Sequence, residues 1–89
     1  MTRNVLFTPE AFADYQYWKT QDRKTLKRIN ALLIDVMRNG TGEGIGKPER
    51  LRDWSDAWSR RIDDKNRLIY SVNDEVVTIY ACRTYYGNK

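Results

Sequence analysis

The first half of the chain carries apolar residues at the spacing of helices. A short apolar run at residues 4–7 is followed by Thr8-Pro9-Glu10, which supplies an N-cap hydroxyl, a proline for the first helical position and an early acid. This order predicts a short strand and then a helix over about residues 9–20. A second helix is predicted over about residues 22–39, because apolar residues recur every three or four positions until Asn39-Gly40 supplies a stop. Its apolar residues are Leu26, Ile29, Leu32, Leu33, Val36 and Met37.

The second half of the chain alternates apolar and polar residues over short runs that polar turns separate. Strands are predicted over residues 49–52, 57–62, 67–72 and 76–83. Because the turns are short, we expect an antiparallel meander, which the strand at residues 4–7 joins at an edge or at the centre. The predicted fold class is α+β, with the N-terminal strand and two helices packed on one face of a small antiparallel β-sheet and the other face left to a ligand.

The segment between the helices and the strands is rich in glycine. Residues 39–46 contain four glycines in eight positions, so the backbone there adopts positive φ readily. Lys47 and Pro48 follow, whereas a phosphate-binding loop continues with lysine and then serine or threonine. We therefore interpret this segment as a flexible connector.

Length and composition narrow the class of protein. The 89 residues fit one domain, residues 1–89. The net charge of +4 and the pI of about 9.4 favour a polyanion or an acidic protein as partner. No apolar run approaches the roughly 18 residues of a membrane span. A single cysteine, Cys82, cannot form an internal disulfide and no secretory leader opens the chain, so a cytoplasmic location is expected.

One carboxylate, several guanidiniums and two phenols of the second half suit a particular reaction. Cleavage of RNA by its own 2′-hydroxyl needs a base for that hydroxyl, positive charge on the phosphorane and an acid for the leaving 5′ oxygen. Glu49 is the candidate base, and Arg67, assisted by Arg61 or Arg83, suits bidentate contact with a phosphate. The chain has no histidine and only one cysteine, so no metal site and no cofactor are predicted.

Alternation along the strands gives a hypothesis about how these groups meet. Residues two apart on a strand share a sheet face, which groups Arg67 with Ile69 in one strand. In the last strand it groups Arg83 and Tyr85 with Ile79. Arg67 and either Arg83 or Tyr85 are therefore expected to point at a shared surface. The alternative interpretation of each arginine is an ordinary ion pair on the sheet surface.

Several motifs, taken together, resemble those of one family. They are Lys27-Arg28-Ile29-Asn30, Gly46-Lys47-Pro48-Glu49, Trp58-Ser59-Arg60-Arg61-Ile62, Asn66-Arg67-Leu68-Ile69-Tyr70 and the closing aromatic residues. Over nearly its whole length the chain resembles the YoeB/Txe toxins of the RelE/ParE superfamily, so a RelE/YoeB-like fold is expected. The resemblance implies a toxin that cleaves messenger RNA in the ribosomal A site without a metal and that a Phd/YefM-type antitoxin silences.

The resemblance also implies roles for individual residues. It makes Glu49 the general base, Arg67 the phosphate-stabilising arginine and Tyr86 the terminal tyrosine. The family usually ends in Tyr-His-Tyr with the histidine as general acid, whereas this chain reads Thr84-Tyr85-Tyr86, which puts Tyr85 in the place of the acid. The residues expected to contact RNA are Lys47, Arg50, Arg52, Arg61 and Arg83.

Further partners and two alternative functions remain open at this point. The resemblance implies a homodimer, and contact with operator DNA only as a toxin–antitoxin complex. One alternative is a non-enzymatic, ParE-like toxin, which shares the fold and acts on DNA gyrase. The other is a degenerate toxin that binds only its antitoxin and nucleic acid, for which the missing histidine is the chief support. Replacement of Glu49 separates both from a nuclease, because only the nuclease needs its carboxylate.

Overall fold

Two helices and five strands make up the part of the chain that the structure describes. The computed structural model describes residues 2–52 and 56–84, with only the backbone at residue 84. The elements are β1 (Asn4–Phe7), α1 (Pro9–Gln21), α2 (Arg23–Asn39), β2 (Glu49–Arg50), β3 (Trp58–Arg61), β4 (Arg67–Val72) and β5 (Val76–Thr84). The predicted α+β class is confirmed, although β2 and β3 are shorter than the sequence predicts.

The five strands form one sheet in the order β1-β5-β4-β3-β2. Strands β2 to β5 follow one another as the antiparallel meander that the short turns predict. Strand β1 lies at an edge and runs parallel to β5, with Asn4 opposite Val76, so the sheet is mixed and the all-antiparallel prediction is wrong for this pair. A parallel pair needs a long crossover, and no turn signal in the sequence marks one.

Side-chain caps fix the ends of the helices. The Thr8 hydroxyl accepts a hydrogen bond from the first turn of α1. Asp22 Oδ1 accepts from the N–H groups of Lys24 and Thr25 at 3.1 and 3.2 Å, and the hydroxyl of Thr25 lowers the pKa of Asp22 by donating to Oδ2. Gly40, with φ of 82°, ends α2. Within the described ranges, neither helix is long and apolar enough to cross a membrane.

The helices cover one face of the sheet with a continuous apolar core. Each large apolar side chain buried there stabilises the fold by about 1.5–3 kcal/mol, so this core holds the helices on the sheet. Its most deeply buried members are Ala11, Ile29, Leu32, Val36, Leu68, Tyr70, Val77, Ile79 and Cys82.

A second, smaller apolar cluster lies on the opposite face of the sheet. Leu51, Ala57 and Ile69 are all at most 2% exposed, and Tyr80 and Ala81 pack against them. The Leu51 N–H donates to the Ala57 carbonyl at 2.9 Å, which folds the segment after β2 back over the sheet. The prediction that this face is left to a ligand is therefore wrong around Ile69, and access is confined to the residues beside the cluster.

The last strand, β5, departs from strict alternation. Val77 and Ile79 belong to the main core, and so does Cys82 in place of Ala81. The pairing with β4 slips twice, between Ile79 and Ala81 and between Ala81 and Thr84, because β5 carries an extra residue at each place as a bulge. The predicted alternation is therefore wrong at Ala81, which packs on the opposite face, whereas Arg83 contacts α1 and stays on the helix side with Ile79.

Two side chains of helix α1 bind the backbone of Cys82 in β5, one at its carbonyl and one at its N–H. Trp18 Nε1 donates to the Cys82 carbonyl at 2.8 Å, and Asp14 Oδ2 accepts from the Cys82 N–H at 3.0 Å. Burial, with the nearby Asp14 charge adding to it, raises the pKa of the Cys82 thiol to about 12. The cysteine is thus a neutral core residue, and its peptide groups are bound by side chains that lie far away in the sequence.

The glycine-rich loop at residues 40–46 closes around the side chain of Arg60. This arginine is fully buried, and its guanidinium is paired with Asp35. Its Nε donates to the Tyr70 hydroxyl at 2.9 Å. The loop carbonyls that accept from it are those of Gly40 at 2.8 Å, Glu43 at 2.6 Å and Ile45 at 3.1 Å. The interpretation of this segment as a flexible connector is therefore wrong, since its backbone is tied to one buried charge.

Candidate functional site

Glu49 and Arg67 meet on the sheet face that the helices do not cover. Glu49 Oε1 accepts a hydrogen bond from Arg67 Nη1 at 3.3 Å, and the two side chains are 54% and 22% exposed. The residues belong to β2 and β4, with β3 between them. A carboxylate and a guanidinium thus stand together in reach of solvent, at the two positions that the sequence singles out.

Ser59, in β3, joins the two strands at this point. It lies directly opposite Glu49 in the β2–β3 ladder, and Arg67 Nη1 donates to its Oγ at 3.5 Å. Ser59 is fully buried. Directly opposed residues share a sheet face, and Arg67, opposite Arg61, lies on the face of Ser59 because Ser59 and Arg61 are two residues apart in β3.

A second guanidinium flanks Arg67. Arg61 is exposed and lies directly opposite Arg67 in the β3–β4 ladder, so their β-carbons are about 4.5–5.5 Å apart on one face. Arg28 of α2 donates from Nη2 to the Arg61 carbonyl at 3.0 Å, which brings a third guanidinium to the same end of β3. With Glu49 as the facing carboxylate, the local charge favours an anion, and paired guanidiniums match the oxygens of a phosphate.

Lys47 approaches this region from the loop before β2. The Arg61 N–H donates to the Gly46 carbonyl at 2.7 Å, so the chain just before Lys47 lies against the end of β3. Lys47 is exposed and has φ of 51°, which is uncommon for a residue with a side chain. The turn made there leads directly into β2 and Glu49.

Two further arginines of the predicted RNA-contacting set lie in or just after β2. Arg50 pairs with Trp58, and because successive residues of a strand point to opposite faces it is directed away from Glu49. Arg50 and Trp58 line a separate cleft of about 330 Å³. Arg52 is exposed just after β2. The structure therefore places Arg61 beside Arg67 and Lys47 in the turn that leads to Glu49, and it directs Arg50 to the other face.

Arg83 does not share a surface with Arg67 as the alternation predicts. Its guanidinium lies over the ring of Tyr17 in α1, 3.5 Å from the ring centroid, a cation–π contact. Arg67 lies opposite Thr84 in the β4–β5 ladder, and because successive residues of a strand point to opposite faces, Arg83 is directed to the helix side. Arg83 therefore packs against α1.

The predictions for Tyr85 and Tyr86 fall outside the described residues. The last described residue, Thr84, lies directly opposite Arg67 in the β4–β5 ladder. The described chain therefore ends next to one member of the Glu49 and Arg67 pair.

Sequence reasoning missed the roles of Arg60 and Asp35, although each leaves a signal. Arg60 alternates with Trp58 and Ile62, and all three belong to the helix side of the sheet, so an inward-facing arginine was readable from the period of two. Asp35 follows Leu32 by three positions and interrupts the apolar stripe of α2. A charged residue in each of two inward-facing positions indicates a buried pair.

The fold and this site define a small, basic α+β protein with arginines and one carboxylate on the sheet face that the helices leave uncovered. The family model described as a YoeB-like toxin of bacterial type II toxin-antitoxin system matches residues 7–86. The chain belongs to this family of YoeB-like toxins.

Individual relatives agree with the family model along almost the full chain. Toxin RelK of Mycobacterium tuberculosis strain H37Rv is 45% identical over 85 residues, which cover 94% of this chain and 99% of that protein. A YoeB dimer from Staphylococcus aureus has a TM-score of 0.91 at 44% identity, covering 97% of this chain and 100% of that one. The toxin of a heterotetrameric YoeB-YefM toxin-antitoxin complex from the same organism has a TM-score of 0.87 at 44% identity and equal coverage. These likenesses confirm the RelE/YoeB-like fold.

Proposed function

We propose that this toxin is a ribosome-dependent, metal-independent endoribonuclease, an mRNA interferase that cuts codons in the ribosomal A site and so inhibits translation. The observation that carries the proposal is the pair of Glu49 and Arg67, 3.3 Å apart on the exposed sheet face. A base and a phosphate-binding guanidinium in contact are the two groups that attack by a 2′-hydroxyl needs side by side. The family membership supports the same conclusion.

In the proposed reaction Glu49 takes the proton of the RNA 2′-hydroxyl, and the resulting oxygen attacks the adjacent phosphorus. Arg67 donates to the phosphate oxygens, where negative charge grows in the phosphorane. The ion pair between the two residues is exposed, and pairs of that kind contribute only about 0–1 kcal/mol. An incoming phosphate therefore displaces Glu49 from Arg67 at small cost and leaves the carboxylate free to act as base.

Tyr85 is the proposed general acid for the leaving 5′ oxygen, with Tyr86 as a further catalytic residue. A phenol with a pKa of about 10 is protonated at neutral pH and has a proton to give. Lys47, Arg52 and Arg61 are proposed to contact neighbouring phosphates of the RNA. No metal and no cofactor take part in this scheme, because the base, the positive charge and the acid are all side chains.

The proposed partners follow from the charge of the chain and from its relatives. A Phd/YefM-type antitoxin is expected to bind and silence this toxin, because YoeB is paired with YefM in the Staphylococcus aureus toxin-antitoxin complex. A homodimer is proposed because the other Staphylococcus aureus relative is a YoeB dimer. Operator DNA is expected to be bound only by the toxin–antitoxin complex, and the site of action is the ribosome with its mRNA in the cytoplasm.

The test is cleavage of a defined mRNA held on ribosomes, with new RNA ends mapped by primer extension. Wild-type protein is expected to cut at A-site codons, and Glu49→Ala is expected to abolish the cuts. Glu75→Ala is the matched control, since Glu75 is an exposed glutamate in the turn before β5 and should cut as the wild type does. Cleavage that survives in Glu49→Ala would contradict the proposed base.

A degenerate toxin is the second candidate, favoured by one feature of the sequence. The chain has no histidine, so the usual acid of the family is replaced by Tyr85. Folded wild-type protein that binds ribosomes or a Phd/YefM-type antitoxin and cuts no mRNA would favour this candidate. A ParE-like, non-enzymatic toxin would instead inhibit DNA gyrase, and it would do so equally well with Glu49→Ala.

A further inference from the structure

The loop at residues 40–46 turns its carbonyl groups inward onto a cation. Three of its carbonyls accept from the Arg60 guanidinium. A fourth, that of Thr41, accepts from the Tyr70 hydroxyl at 2.8 Å, and this hydroxyl also accepts from Arg60 Nε. Burial raises the pKa of Tyr70, so the phenol keeps the proton that it donates. A phosphate-binding loop has the opposite polarity, because its N–H groups point inward.

Two glycines of this loop allow it to close around Arg60. Gly44 has φ of 121°, and a β-carbon there would overlap the Asp35 carboxylate and approach Arg60 Nη1 to 2.8 Å. Gly46 has φ of 84°, and a β-carbon there would lie 2.8 Å from Leu32 Cδ2. Residues with side chains rarely adopt such backbone angles. The path of the loop is therefore available to glycine and is held in place by the buried guanidinium.

The same loop delivers the chain to Glu49. Its last residue, Gly46, accepts from the Arg61 N–H at 2.7 Å, and Glu49 follows three positions later. Strand β2 has only two residues and lies at the edge of the sheet, so its own ladder is short. On its far side Leu51 is anchored in the small apolar cluster. Glu49 is thus held between one apolar anchor and one loop that Arg60 fixes.

We propose that Arg60 is a positioning residue for the general base: it fixes the loop at residues 40–46 and thereby holds Glu49 beside Arg67 for catalysis. This inference rests on the proposed nuclease function. It gives the two adjacent arginines of β3 different tasks, since Arg60 points into the protein and Arg61 lies on the exposed face opposite Arg67.

The kinetic test compares Arg60→Lys with Arg3→Lys. Lysine keeps the charge and loses the planar fork that serves several acceptors at once. Arg3 is the matched control because it too binds carbonyls, those of Asn73 at 2.8 Å and Met37 at 3.2 Å, and it approaches the loop only at its first residue, Gly40. For Arg60→Lys we expect kcat on ribosome-bound mRNA to fall about 100-fold, as for a small misplacement of a catalytic group, with little change in KM.

Arg3→Lys is expected to keep the wild-type kcat even where its Tm falls. Equal losses of kcat in the two variants at matched Tm, or an unchanged kcat in Arg60→Lys, would overturn the inference. If Arg60→Lys does not fold, Tyr70→Phe takes its place, since it removes the hydroxyl between Arg60 and Thr41 and keeps the ring in the core. Its kcat is expected to fall by a smaller factor, and an unchanged kcat there also overturns the inference.

Amide hydrogen exchange tests the positioning step without a measurement of cleavage activity. Exchange at residues 43–49 is expected to be faster in Arg60→Lys than in the wild type and unchanged in Arg3→Lys, since Arg3 lies beside Gly40. Equal exchange over this segment in all three proteins overturns the positioning step. A wild type that cuts no mRNA overturns the proposed function and the catalytic part of this inference together, whereas normal cleavage with unaltered kcat in Arg60→Lys overturns this inference alone.

Discussion

The Glu49 carboxylate lies 3.3 Å from Arg67 Nη1 across a strand to which neither residue belongs. Ser59 of that strand lies opposite Glu49 and is within 3.5 Å of Arg67 Nη1. The contact therefore depends on the register of two neighbouring ladders, and a slip of one residue in either would turn one partner to the other face. The most exposed ion pair of the site is thus positioned by buried parts of the sheet.

Arg67→Ala is expected to lower cleavage of ribosome-bound mRNA more than Tyr85→Phe does. Loss of one group that stabilises charge in the transition state costs about 10²–10³-fold. A phenol is a weak general acid at neutral pH, because the best acid has a pKa near the working pH, so its loss costs less. Single-turnover rates with saturating toxin measure both. Equal losses would contradict the ranking. Arg67→Lys is expected to lose less activity than Arg67→Ala, because lysine keeps the charge without the bidentate fork.

Tyr85→His is expected to raise turnover and to change its dependence on pH. An imidazole with a pKa of about 6.5 is a better acid near neutrality than a phenol with a pKa of about 10. The acid must be protonated, so the rate of the variant should decline as pH rises through about 6.5, while that of the wild type should not decline there. Rates across this range on the same ribosome complexes check the prediction. A variant that is no faster than wild type at any pH would indicate a site built around the phenol.

The sequence was sufficient for the elements whose signals are local. The start of α1 at Thr8-Pro9, the stop of α2 at Gly40 and the meander of β2 to β5 each follow from caps, period or short turns. The parallel pairing of β1 with β5 carries no such signal. It is decided by which edge is free once the helices are packed, and that is a property of the whole chain.

The candidate site divides in the same way. Glu49 and Arg67 could be selected by their chemistry and by family resemblance, but their contact depends on register, which a sequence does not give. Arg83 was misplaced because it lies with Ile79 on the helix side of the sheet whereas Arg67 lies with Ile69 on the other side, and the register that decides this is not given by a sequence. The inward direction of Arg60 was readable from its alternation with Trp58 and Ile62, but its binding to carbonyls of the loop at residues 40–46 was not, because backbone partners have no signature in the sequence.

Asp35→Asn is expected to destabilise the protein at neutral pH. Its free energy of unfolding is also expected to depend less on pH in the acid range. Desolvation raises the pKa of Asp35, but hydrogen bonds from Arg60, the Ile45 N–H and Asn39 outweigh it, so the net pKa lies below the ordinary 3.8. The unfolded state therefore takes up the proton first as pH falls, and the stability from this carboxylate, complete well above that value, is lost as pH falls through the lowered pKa.

Urea unfolding of wild type and Asp35→Asn from pH 7 to pH 2 measures this effect. The difference in unfolding free energy should be largest at pH 7 and should shrink at the acid end. At pH 7 it should not exceed the lower part of the about 3–5 kcal/mol typical of breaking a buried pair, because Asp35 is 20% exposed. Asp22 and Asp63 also have lowered pKa values, but both proteins retain them. A difference that is constant with pH would contradict the assignment.

Gly44→Ala and Gly42→Ala are expected to separate the two kinds of glycine in the loop. At Gly44 the φ of 121° and the overlap with Asp35 add a backbone cost of about 1–3 kcal/mol to displacement of the buried pair. At Gly42 a β-carbon would meet the Trp58 ring at 3.5 Å, which is an ordinary contact, and the φ angle of Gly42 is not positive. The second change should be neutral or stabilise by about 0.4–1 kcal/mol, since alanine restricts the unfolded chain. Thermal unfolding distinguishes the two variants, because a change of about 1 kcal/mol in the free energy of unfolding moves Tm by about 4–8 °C in a domain of this size. Similar Tm values for both variants would mean that the loop does not depend on closing around Arg60.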